Sequence, residues 1–152
     1  MSCVVSQNQP PGDLRLRIVV IGPPAGVQFQ LQRGTRDLEP PARRTDTATT
    51  FDFVVRVGTR PDGAPNFLGP YAQGRPAARF VYVNSGTLAG QPDSCWTRRA
   101  KIPLGGITWQ MIQDARRTEG AVEAEIDGTA RDGGPACATV PLRAPWRIVS
   151  AS

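Results

Sequence analysis

Apolar and polar residues alternate with a period of two along most of this chain, the spacing of strands with one face buried and the other wet. Leu14, Leu16, Ile18 and Val20 fall on one side of a run whose other side carries Arg15 and Arg17. A turn from Gly22 to Gly26 follows, and Val27, Phe29 and Leu31 then alternate with Gln28, Gln30 and Gln32. These two runs predict an antiparallel pair. A third strand, over 49–57, turns Phe51, Phe53, Val55 and Val57 inward and Asp52 and Arg56 outward. The fourth, over 79–85, has Phe80, Tyr82 and Asn84 on one face and Val81 and Val83 on the other, so it reads as central or covered. A fifth covers 96–102, and in a sixth Val122, Ala124 and Ile126 alternate with Glu123, Glu125 and Asp127. Two short strands, over 136–142 and 146–149, close the chain.

One stretch has the other period. Trp109, Ile112 and Ala115 recur at helical spacing after Thr108, a residue type that caps helix N-termini, and predict a helix over 109–117. Residues 35–46 and 58–77 read as loops, the second long and rich in Gly and Pro but carrying Phe67, Leu68 and Tyr71 to pack down. Seven or eight strands and one short helix predict an all-β fold: an antiparallel β-sandwich or a small, partly open β-barrel. Residues 1–13 read as a flexible leader and residues 14–149 as a single domain.

Composition narrows the chemistry mainly by exclusion. The 152 residues include no histidine, which removes Ser-His-Asp and Cys-His catalysis and any His-ligated metal. Three cysteines without C-x-x-C spacing argue against a disulfide scaffold and against zinc; Cys95 and Cys137 read as small buried residues. No acidic cluster has calcium-loop spacing and no Gly-rich segment has phosphate-loop spacing, so neither metal nor cofactor is expected. The N-terminus lacks the pattern of a signal peptide and no apolar run is long enough to span a bilayer, which points to the cytoplasm. Net charge is +5, and every basic residue except Lys101 is arginine. The arginines are scattered with acids between them, so nucleic-acid binding is not indicated.

Arg98 draws attention within the fifth strand. Alternation places Trp96, Arg98, Ala100 and Ile102 on one face, and the Trp96 face looks like the core face. A guanidinium aimed inward must find a partner, because a buried unpaired charge is very costly. That partner is either an anionic ligand group or a structural carboxylate such as Asp93, Asp132 or Glu125, unless the side chain snorkels to water. Tyr82, Asn66 and Gln73 join Arg98 and Trp96 as candidate ligand contacts. Asp93, Asp132 and Tyr82 are the candidates for acid-base work, although Asp-Gly pairs such as Asp62-Gly63, Asp127-Gly128 and Asp132-Gly133 are also simple turn formers.

Four stretches also carry a resemblance: Pro65 to Pro70, Arg79 to Tyr82, Asp93 to Leu104 with its Ser-Cys-Trp-Thr-Arg-Arg core, and Asp132 to Ala138. Together they resemble a family of small bacterial proteins of unknown function, over roughly residues 14–149. The resemblance implies one complete domain and assigns no activity, substrate or cofactor.

The residues therefore point first to a domain that binds a small, partly anionic ligand beside Trp96 and Arg98. Two other readings share the scaffold. One is a cofactor-independent enzyme of cyclase, isomerase or dehydratase type; the other is a protein-interaction module using a sheet edge or the arginine-rich face. The pattern leaves oligomeric state open.

Overall fold

A computed structural model describes residues 12–22, 28–33, 37–38, 43–68, 72–73, 80–86, 98–128, 138–139 and 142–150. Eight strands of four or more residues are β1 (Gly12–Ile21), β2 (Gln28–Arg33), β5 (Ala48–Thr59), β6 (Pro65–Leu68), β8 (Phe80–Gly86), β9 (Arg98–Pro103), β10 (Ala121–Asp127) and β12 (Ala144–Val149). Four two-residue strands complete the set: β3 (Asp37–Leu38), β4 (Arg43–Arg44), β7 (Ala72–Gln73) and β11 (Ala138–Thr139). The helix α1 spans Trp109–Arg117.

The strands form two sheets. One runs β12-β10-β1-β5-β4, with β6 also on β5; the other runs β11-β9-β8-β2-β3, with β7 also on β8. Their apolar faces share one core, and they do not close into a barrel. Strand β1 is the spine of the first sheet. It pairs antiparallel with β5 from Gly12 to Ile21 and parallel with β10 from Leu16 to Ile21. In register, Leu16 lies between Phe53 and Val122, and Ile18 between Phe51 and Ala124. All six are buried, at about 1.5–3 kcal/mol for each large side chain. Phe29, Leu31, Val81, Val83 and Ile102 supply the buried residues of the second sheet.

Three expectations need correction. The first two runs of the sequence are not paired with each other: β5 and β10 occupy both edges of β1, so β2 joins β8 in the other sheet. The sheets are not antiparallel throughout, because β1 and β10 run parallel, as do β11 and β9. Nor is the stretch 58–77 a plain loop. β5 continues to Thr59, a turn closes with Arg60 N–H donating to the Ala64 carbonyl at 2.8 Å, and β6 returns along β5. Proline opens β6 at Pro65, a first-residue position where its missing N–H is tolerated. Asp62 supports this turn, its Oδ1 accepting from Ala64 N–H at 3.0 Å.

The helix forms where its spacing predicts. Thr108 caps it, accepting from Met111 N–H at 3.2 Å, and Ile112 and Ala115 are buried against the first sheet at β10, β12 and β1. Two tryptophans tie elements together. Trp109 Nε1 donates to the Gly63 carbonyl at 2.7 Å, holding the helix start to the β5–β6 turn. Trp146 Nε1 donates to the Pro103 carbonyl at 3.1 Å, joining β12 to the end of β9. The helix ends abruptly: Gly120 N–H bonds the Ala115 carbonyl at 2.8 Å while Glu119 takes a positive φ of 56°. A side chain at position 120 is barred, since a Cβ there would lie 2.6 Å from the Val149 carbonyl oxygen.

Candidate functional site

The outer face of the first sheet follows from the same registers that build the core. Where Leu16 and Ile18 point inward, Arg17 points outward between Asp52 on β5 and Glu123 on β10. Its Nε donates to Asp52 Oδ1 at 2.6 Å, its Nη1 lies 3.8 Å from Glu123 Oε2, and Nη1 also donates to the Ser150 carbonyl at 3.3 Å. Arg43 on β4 takes the other oxygen of Asp52. At the opposite edge, Arg147 on β12 donates from Nη2 to Glu123 at 2.7 Å and to Glu125 at 2.8 Å. The result is a ladder of alternating charge across five strands: Arg43, Asp52, Arg17, Glu123, Arg147. Its middle is largely withdrawn from water, with the Arg17 side chain 12% and that of Glu123 9% exposed. The Glu123 hydrogen bond, then the charges of Glu123 and Glu125, hold the Arg147 pKa above its ordinary value.

Beside the ladder lies an open cleft of about 750 Å³, bounded by the start of β1, the exposed Val54 of β5, the end of α1 and Ser150. This volume is within the range of small-molecule sites. A smaller concavity of about 290 Å³ reaches from Arg15 and Val54 to Arg17 and Asp52, so cleft and ladder are contiguous. Four charged residues line the cleft: Asp13, Arg15, Arg116 and Glu119. Among the described residues none of the four forms an ion pair, whereas all six charges of the ladder and its Glu125 branch do.

Local structure explains how Arg116 comes to be there. It lies in the last turn of α1, and its Nε donates to the Asp13 carbonyl at 3.0 Å. The guanidinium then rests against Gly12, where a Cβ would fall 2.9 Å from Nη2. That Nη2 is sealed from solvent and has no hydrogen-bond partner among the described residues. The helix end thus carries a positive charge held in place by its backbone contact, with one donor unused. Leaving a buried donor unmade costs about 1–3 kcal/mol.

The residues singled out in the sequence are placed only in part. Arg98 opens β9 and pairs with Ser85, and Tyr82 on β8 pairs with Lys101. Gln73 on β7 pairs with Phe80. The side chains of Arg98, Tyr82 and Gln73 lie outside the description, as do Trp96, Asp93, Asp132, Cys95 and Cys137 altogether. Asn66 is described: on β6 it pairs with Gly58 of β5, and its Oδ1 is buried with no hydrogen-bond partner among the described residues. It does not line the cleft of Arg15 and Arg116.

Sequence reasoning passed over the four cleft residues. Arg15 is legible as an outward position of the first strand and Asp13 falls in the leader, while neither Arg116 nor Glu119 carries a signal of its own in the sequence. Only the contact of the helix end with the start of β1 unites them. No group of three or more potential metal ligands occurs among the described residues, and no described helix is long and apolar enough to cross a membrane.

A family model described as a family of unknown function (DUF5990) matches residues 14–149. No curated protein and no solved structure matches the chain.

Proposed function

The chain belongs to the DUF5990 family, whose function is unknown, and on that premise we propose that it binds a small, partly anionic organic ligand in the cleft of Arg15 and Arg116. One observation carries this reading: the ladder's charges are all ion-paired, while among the described residues the guanidiniums of the cleft are not. Guanidinium is the side chain best suited to carboxylate and phosphate, through paired N–H donors in one plane; Arg15 supplies such a pair, while Arg116, with Nε given to Asp13 and Nη2 sealed, contributes its charge. Arg116 is also held in advance, by the Asp13 carbonyl and the space at Gly12, so binding spends little entropy on ordering it. A site beside Trp96 and Arg98 is the competing location for the same class of ligand.

Calorimetric titration with simple carboxylates, acetate to hexanoate, separates the two locations. Arg116→Gln and Arg15→Gln are each expected to weaken the best carboxylate at least tenfold, and Arg98→Gln to leave it unchanged. Carboxylate binding that survives both cleft substitutions would overturn the assignment; loss in Arg98→Gln alone would move the site to β9.

A further inference from the structure

Resting on that reading, we infer that the cleft selects a zwitterion, an organic molecule with a carboxylate and an ammonium group, and that Glu119 determines this specificity. The cleft is not simply basic. Asp13 and Glu119 line it alongside Arg15 and Arg116, and none of the four is neutralised by another described residue. A plain anion entering it meets two carboxylates as well as two guanidiniums, and a plain cation meets the reverse. A ligand that carries both charges satisfies all four.

Glu119 supplies the second, independent argument. It occupies the position just past the helix where the backbone turns left-handed, with φ at 56°. Glycine is the usual residue there, because a Cβ is strained in that conformation. A carboxylate is doubly out of place, since the helix C-terminus carries a partial negative charge that favours cations. Arg116 and Arg117 in the last turn obey this rule and Glu119 breaks it. No described ion pair offsets either cost. Non-glycine residues held at positive φ cluster at ligand sites. The same negative helix end that disfavours Glu119 adds to it in attracting an ammonium group. The carboxylate of the ligand is accordingly assigned to Arg15 and Arg116, and its ammonium to Glu119 and Asp13.

The test compares three probe series by calorimetric titration of the full chain: amino acids from glycine to 6-aminohexanoate, the matching carboxylates, and the matching alkylamines. At the chain length that fits, the amino acid is expected to bind at least tenfold more tightly than its carboxylate or amine. Glu119→Gln should abolish that advantage while carboxylate binding stays equal or improves. Glu119→Gly, which removes the strain along with the charge, should lose the advantage in the same way, so the loss cannot be blamed on misfolding. Arg116→Gln should weaken both amino acid and carboxylate. Carboxylates that bind in an Arg116-dependent manner at least as tightly as the amino acids would overturn the zwitterion while leaving the anion reading intact. Absence of Arg116-dependent binding by every probe would overturn both.

Discussion

Glu119 and Glu123 show how differently one residue type behaves in two settings four positions apart. Glu119 is exposed, strained and without an ion pair among the described residues; replacing it with glycine is expected to raise stability by about 1 kcal/mol, read as a rise of about 2–4 °C in melting temperature. An unchanged or lower melting temperature would mean that its positive φ costs nothing. Glu123 is 7% exposed and answers two arginines, so Glu123→Ala should cost about 3 kcal/mol in urea unfolding by leaving Arg17 and Arg147 under-compensated. Arg43→Ala, at a side chain 64% exposed, should cost under about 1 kcal/mol. Equal losses at the two positions would contradict the buried centre assigned to the ladder. The raised pKa of Arg147 has a simple sign: its stabilisation is complete below the ordinary arginine range and fades only as pH climbs through the raised value. Arg147 therefore contributes no pH dependence to stability between pH 5 and 9. The alternation of outward Arg15, Arg17, Asp52, Glu123 and Glu125 was plain in the sequence. Which acid met which base was not, because pairing depends on the order β12-β10-β1-β5-β4.

At the scale of elements, the helix was the most legible piece, since periodicity, cap and apolar stripe agree within a single segment. Thr108→Ala should remove the cap and cost about 1 kcal/mol. Strand neighbours were far less legible. The Gly22–Gly26 turn invites a hairpin, yet β1 is claimed on both edges by strands distant in sequence, and local pattern holds no record of that competition. The β5–β6 return was hidden for another reason: Gly58 and Pro65 read as loop residues, yet β5 runs on through Gly58 and β6 opens on Pro65. The junction of α1 with β12 depends on one close approach. Gly120→Ala should push against the Val149 carbonyl, cost about 2 kcal/mol and speed hydrogen exchange at the β12 amides ahead of those of β1. Uniform acceleration in both strands would show that the contact is not local to β12.

Across the whole molecule, the alternation that builds the shared core also sets out its chemistry. Inward positions of β1, β5 and β10 fill the space between the sheets; outward positions of the same strands make the ladder and, at the end nearest α1, one side of the cleft. The all-β class was readable because it depends only on period. The cleft was not, because it forms where residues about a hundred positions apart, Gly12 to Arg15 and Arg116 to Gly120, come together. The most direct test is a nuclear magnetic resonance titration of isotope-labelled protein with the amino acids from glycine to 6-aminohexanoate. The account predicts shifts gathered on the amides of residues 12–15, 54 and 115–120 and on the Nε–H signals of Arg15 and Arg116. Shifts centred instead on residues 98–101, or none at saturating ligand, would contradict it.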